Sequence, residues 1–297
     1  MDDFSKGFEQ IVRNFVRWGQ ERNDIRLAFV LGSRARTDHP ADEWSDLDLA
    51  VCATDIQPYL DQADWVAAMG KPWLTFVEVT GDGRSMERRV LYDGGLDVDF
   101  ALLPLEMLRH LVQASMDPAA ADLFHRGVRV LFDKDGLLPD PAAIAATWQP
   151  PAPPSQAEFL QVVNDFWYHA VWTAKHLRRG ELWWAKLGCD SHLKDLLRRM
   201  LEWQAQAARG SGHDTWLRGR FLEEWADPRA VAALGGAFAH YDEQEIWRAL
   251  FATLDLFRWV SEEAAGKLKY GLPTEGITVT EKLVRKLAQG EEKPPRI

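Results

Sequence analysis

Asp46 and Asp48 are separated by a single residue, in the run Asp46-Leu47-Asp48-Leu49-Ala50-Val51. In an extended strand, alternate side chains share a face. Both carboxylates therefore point one way, while Leu47, Leu49 and Val51 point the other. Two neighbouring carboxylates repel unless a cation lies between them. Magnesium is such a cation, a hard ion held by carboxylates together with substrate phosphates. Asp97 and Asp99 repeat the pattern, with Val98, Phe100 and Leu102 on the opposite face. Placed beside the first strand, Asp99 completes a three-carboxylate cluster. Such a cluster could hold one or two ions and set a base near an attacking hydroxyl. Asp97 has a second reading, as part of the turn after Gly95. A lone Asp-x-Asp is more often a solvated strand edge than a metal site.

Gly32-Ser33 adds a third piece. A glycine lets backbone approach a ligand closely, and the Ser33 hydroxyl with neighbouring N–H groups can bind phosphate oxygens. Gly-Ser alone occurs by chance. The specific signal is the order: strand, Gly-Ser, short polar connection, Asp-x-Asp strand, later strand with an inward Asp.

The elements that must position these residues are legible from periodicity. Residues 3–20 repeat apolar side chains at helical spacing. Residues 25–31 form a short branched apolar run that ends at Gly32, as a strand does. Residues 46–53, 73–79 and 89–92 are expected as further strands. Asp93-Gly94-Gly95 is a hairpin signal, and residues 96–103 are the strand after it, closed by Pro104. A short helix is expected over 104–113, then a strand and turn over 129–138. Residues 149–156 are dense in proline and cannot lie inside a regular element. They mark a linker between a first domain, 1–148, and a second, 157–297. The second half reads as helical over 159–179 with Gly180 as C-cap, then 183–208, 214–224 and 242–268. The tail from residue 291 is expected to fray.

The chain has 297 residues, 46% hydrophobic and 27% charged, with a formal net charge of -10. This is the balance of a globular protein. Tight sequence-independent nucleic-acid binding needs a basic footprint, so nucleic acid is not expected as a partner. An acidic surface suits cationic ligands. Most of the 14 tryptophans are expected in packing. The two cysteines, Cys52 and Cys189, make neither a metal cluster nor a disulfide framework, which fits a reducing compartment. The N-terminal stretch lacks an apolar leader core, and no run approaches a membrane span. A cytoplasmic protein with no membrane partner is expected.

The run Gly32-Ser33-Arg34 followed by Asp46-x-Asp48 resembles the signature of the nucleotidyltransferase superfamily. More narrowly, residues 32–51 and 97–108 resemble the aminoglycoside 6-adenylyltransferases, the streptomycin-modifying enzymes. Residues 166–186, 196–203 and 241–257 look like that family's helical domain. The likeness spans nearly the whole chain. It implies an α/β N-terminal nucleotidyltransferase domain, a mixed sheet with flanking helices, joined to an all-α C-terminal helical bundle, with the active site in the cleft between them. It implies ATP as donor, Mg2+ as cofactor, and a cationic acceptor such as an aminoglycoside. Carried over by residue, Gly32 and Ser33 hold the triphosphate and Arg34 sits near the phosphates. Asp46 and Asp48 bind Mg2+, and Asp99 is metal ligand, base or both. The stretch 211–221 and the loop 81–95 depart from the family pattern, which leaves the acceptor open.

Other residues are candidates from chemistry alone. Lys186 and Lys194 could reach a triphosphate as point charges, against the reading of solvated helix lysines. Asp165 beside Phe166-Trp167-Tyr168 offers a carboxylate and stacking faces, so Asp165 and Trp167 are candidate acceptor contacts, against a solvated face with packed aromatics. Glu78 is a candidate base or acceptor contact, against a surface strand residue. His169, His176, His192 and His213 show no metal-ligand spacing. The rival to an enzyme is a lapsed nucleotidyltransferase that binds nucleotide or drug without turnover.

Overall fold

A computed structural model describes residues 3–81, 83–113 and 118–290. The tail expected to fray lies outside the described residues. The chain divides into two compact units between Gln149 and Pro150.

The first unit opens with α1, Asp3–Gln20, followed by β1, Ile25–Leu31, and β2, Leu47–Ala53. A short helix α2, Gln57–Asp61, leads to β3, Pro72–Val79, β4, Met86–Tyr92, and β5, Leu96–Pro104. Helices α3, Leu105–Gln113, and α4, Pro118–Arg126, precede β6, Arg129–Asp133, and α5, Pro141–Ala145. The strands form one six-stranded sheet in the order β3-β4-β5-β2-β1-β6. Only the β2–β5 pair is parallel; the other four are antiparallel. The expected mixed sheet is thus present.

Alternation divides the side chains of β2 and β5 between two faces. Leu47, Leu49, Val51, Val98, Phe100 and Leu102 join Phe8, Ile11, Val12 and Phe15 of α1 in one core. The apolar stripe of α1 covers this face of the sheet. On the opposite face, Ala50 and Cys52 pack with Leu27, Phe29, Leu105 and Leu108. Asp48 and Asp99 are not among the members of that second core.

The second unit contains α6, Gln156–Arg179, and α7, Leu182–Leu187. A π-helical turn over Gly188–His192 leads without a break into α8, Leu193–Arg209. Next come α9, Leu222–Trp225, α10, Pro228–Ala237, α11, Glu243–Leu268, and α12, Thr274–Ala288. Ser155 and Glu158 form a capping box at the start of α6, and Gly180 ends it at φ 72°. Gly180 is the C-cap expected from sequence; the Ser155–Glu158 capping box was not anticipated, and the helix starts at the end of the stretch read as linker. Phe159, Phe166, Leu197, Met200, Leu250 and Phe257 lie in one continuous core.

Two helical expectations need correction. The helix expected over 183–208 is interrupted by the π turn. The helix expected over 214–224 is absent. That segment holds a single 3-10 turn, Leu217–Gly219, and the four-residue α9. Asp214 accepts a bond from the Trp216 N–H at 2.8 Å, a local turn that competes with helix. Trp216, Arg218, Gly219 and Phe221 all take positive φ. The segments of α10 and α12 were not anticipated as helices; Asp227 caps the first, with Pro228 at its first turn, a start signal that sequence carries. Among the described residues, no helix is long and apolar enough to cross a membrane.

Candidate active site

Register brings the acids together. Asp48 on β2 pairs directly with Asp99 on β5, so the two carboxylates stand side by side on one face. Asp46 precedes β2 and joins them. Ligand oxygens of Asp46, Asp48 and Asp99 all lie within 4.8 Å of one another. Three ionised carboxylates at that separation repel by roughly 3–4 kcal/mol per pair at an effective dielectric of about 20. That is a large fraction of the roughly 5–15 kcal/mol that holds a domain together. The cluster therefore needs a cation, a proton or both.

In the metal-free protein the Arg89 guanidinium, 3.1 Å from Asp99, and a raised carboxyl pKa both relieve this repulsion. Burial pushes the Asp99 carboxyl up to about 7, with Asp48, Glu87 and Asp46 adding and Arg89 opposing. Asp99 is 7% exposed. Because its pKa is raised in the folded state, its contribution to stability is full below about pH 4 and is lost as pH rises to about 7. Without divalent ions, the wild type is expected to lose stability relative to Asp99→Asn across that window. Denaturant midpoints at several pH values measure this; a difference that stays constant with pH contradicts it.

The bend after β1 frames the acids. Leu31, at the end of β1, pairs with Asp48. Gly32 then turns at φ +64°, and a Cβ there would overlap Oδ2 of Asp48 and lie 3.1 Å from its Cγ. Only glycine lets the backbone pass this close beneath the carboxylate. Ser33 comes next, with a buried hydroxyl that has no hydrogen-bond partner among the described residues. A buried polar atom left in this state wants a partner, and here it sits beside an acidic cluster.

Arg34 is bound to the connection before β2. Its Nε donates to the Asp46 carbonyl at 2.9 Å and its Nη2 to the Ser45 carbonyl at 2.7 Å, and its guanidinium lies 3.7 Å from the Phe8 ring centroid. These bonds tie the connection before β2 to the bend and to α1. They position Asp46 through its backbone.

Glu78 is half-exposed and joins the same face through Arg89. The Arg89 guanidinium meets Glu78 at 2.6 Å, Glu87 at 3.1 Å and Asp99 at 3.1 Å. Sequence reasoning passed over Arg89 and Glu87. The signal was present, because residues equidistant from Gly94 face each other across a three-residue hairpin, which sets Arg89 opposite Asp99. Asp97 is exposed and is not part of the triad.

The remaining candidates lie in the second unit. Lys186 is paired with Asp190 and donates to the Ala239 carbonyl at 2.7 Å. Lys194 is almost buried, bonded to Thr253 Oγ1 at 2.8 Å and the Cys189 carbonyl at 2.9 Å, with Asp190 at 3.6 Å. Burial pulls its ammonium pKa down. Both amines are held within this network. Asp190→Ala is expected to destabilise the protein by about 3 kcal/mol, because it strands buried charge; a urea midpoint equal to that of the wild type contradicts this.

Trp167 needs a correction. It is 4% exposed and packs in the core, because it lies beside Phe166 on the inward side of α6. It offers no face for stacking. The open ring beside Asp165 is Tyr168, 68% exposed. Asp165 itself is engaged by two histidines, His169 at 2.5 Å and His192 at 3.0 Å. His192 arrives from outside α6, so spacing along the sequence did not reveal this meeting.

The match to known proteins covers the chain that builds this site. Residues 6–285 match the family model described as streptomycin adenylyltransferase. An aminoglycoside 6-adenylyltransferase of Bacillus subtilis (strain 168) is 24% identical over 91% of this chain and 95% of its own length. Proteins of the same name from Campylobacter jejuni and Staphylococcus aureus are 23% and 21% identical. They cover 93% and 89% of this chain, and 93% of each relative is covered. With a family model matched from the first helix to the last, the chain belongs to the streptomycin adenylyltransferase family, a family of nucleotidyltransferases.

Proposed function

We propose that this protein transfers AMP from ATP to a hydroxyl of an aminoglycoside of the streptomycin class, releasing pyrophosphate, with Mg2+ as cofactor. The observation that carries the proposal is the convergence of Asp46, Asp48 and Asp99 beside the Gly32–Ser33 bend. The all-oxygen donor set suits a hard cation, and the mutual repulsion of the acids gives it a reason to bind. Asp46, Asp48 and Asp99 would hold the ion, which supplies charge withdrawal from the triphosphate when bound.

The chain's own groups do the rest. The Ser33 hydroxyl and the backbone N–H groups of the bend bind phosphate oxygens. Asp99, beside Asp46 and Asp48, is placed to take the proton of the acceptor hydroxyl. The deprotonated oxygen attacks the α-phosphorus in line, a bond to AMP forms, and pyrophosphate leaves. Arg89 holds Asp99 in orientation through their ion pair. A charge of -10 favours the approach of a polycationic acceptor. Both cysteines are buried free thiols, which supports a reducing, cytoplasmic setting.

A pyrophosphate-release assay with ATP, Mg2+ and a panel of aminoglycosides tests the reading. Release that depends on streptomycin or a close analogue is expected. Nucleotide binding without pyrophosphate from any acceptor would instead identify a lapsed enzyme.

A further inference from the structure

Asp165, His169 and His192 lie together in the second unit. Their ligand atoms, like those of the acidic triad, all fall within 4.8 Å of one another. Asp165 and His169 are one helical turn apart on α6 and share a face. His169 Nδ1 lies 2.5 Å and His192 Nε2 3.0 Å from the same oxygen, Asp165 Oδ1. The two imidazole rings meet edge to face with centroids 4.2 Å apart.

We propose that these three side chains form a second cation site, selective for a borderline first-row divalent ion of the zinc class. Ligand chemistry separates it from the triad of Asp46, Asp48 and Asp99. That triad offers only carboxylate oxygen, the preference of Mg2+. Two imidazole nitrogens and one carboxylate oxygen suit Zn2+, Co2+ or Ni2+ and are poor for Mg2+. Tetrahedral zinc with bonds of about 2.1 Å holds its ligand atoms roughly 3.4 Å apart. The hydrogen-bond separations of 2.5 and 3.0 Å fall short of that by less than 1 Å. Small side-chain rotations admit the ion in place of the bridging protons. Three protein ligands leave one position for water, the arrangement of an open rather than a closed zinc site. His192 is 44% exposed on its side chain, which gives the ion a way in.

The surrounding structure sets up this meeting. His192 ends the π turn Gly188–His192. A π turn places an extra residue in the helix and re-aims the next side chains by about 100°. Gly188 lets that turn sit hard against α6: a Cβ there would lie 2.6 Å from Thr173 Oγ1 and 2.9 Å from the Trp172 ring. Tyr168 and Trp172 flank the His169 ring at 5.1 and 6.1 Å and restrain its orientation. A bound ion would join α6 to the π turn as a staple within the second unit.

The test is a Co2+ titration of the full chain, without a histidine tag, stripped with chelator and held in millimolar Mg2+ to occupy the acidic triad. The expected result is one equivalent of Co2+ with the visible bands of a tetrahedral nitrogen–oxygen site, displaced by Zn2+. His192→Ala and His169→Ala are each expected to weaken it at least tenfold, with far-UV circular dichroism unchanged. Asp48→Asn is expected to leave it intact. No tetrahedral spectrum in the wild type, or one that survives both histidine variants, overturns the proposal. So does a spectrum lost with Asp48→Asn, which would assign the ion to the acidic triad.

Discussion

Asp48→Asn is expected to lower turnover by more than roughly 100-fold, the upper end for losing only an outer-shell partner of a metal site, while the protein stays as stable as before. The two halves of this result have one cause. Asp48 stands directly opposite Asp99 and is one of the charges that raise the Asp99 pKa. On the proposed metal role, removing its charge would take a ligand from the ion, and it would relieve repulsion in the metal-free fold. Activity at an acidic cluster is held against stability. Assay of pyrophosphate release beside thermal melts in chelator checks both halves. Wild-type turnover would rule out the metal role. A large fall in Tm would show instead that Asp48 is a structural carboxylate.

Gly32→Ala is expected to damage both activity and stability. An alanine at φ +64° costs about 1–2 kcal/mol in backbone strain, or roughly 2–8 °C in Tm for a protein of this size. Its methyl group also overlaps the Asp48 carboxylate, which must swing out of the cluster, so turnover is expected to fall by a factor like that for Asp48→Asn. The two substitutions share this contact and are not expected to add. In the double variant Gly32→Ala/Asp48→Ala the clash is gone and only the backbone strain remains. A double variant less stable than the sum of the single effects would contradict the close approach of the bend to Asp48.

The acidic triad was legible because strand alternation is a strict rule and the Asp-x-Asp pattern repeats on two strands. Periodicity alone does not say that β2 and β5 are neighbours; that pairing is parallel and spans β3 and β4, and only the resemblance to a family implied it. Arg89 was hidden because Met86–Tyr92 carries charge on both faces: Glu87 and Arg89 on one, Arg88 on the other. No clean alternation marks which face is functional. The π turn was illegible for a different reason. Gly188–His192 is a run of weak helix formers, which marks a weak point in the helix but not its type; the widening of the turn goes with the seat of Gly188 against Thr173 and Trp172. The meeting of His192 with Asp165 depends on that turn, so histidine spacing could not reveal it. Trp167 was misplaced because a run of three aromatics, Phe166 to Tyr168, covers both faces of a helix, and sequence does not tell which ring turns inward.

The most direct test of the central claim is a crystal structure with Mn2+ in place of Mg2+ and a non-hydrolysable ATP analogue, with the metal located by anomalous scattering. The expected result is a manganese peak bonded to carboxylate oxygens of Asp46, Asp48 and Asp99, with the triphosphate lying against the Gly32–Ser33 bend. A peak elsewhere, or a nucleotide bound with the three acids untouched, would contradict it.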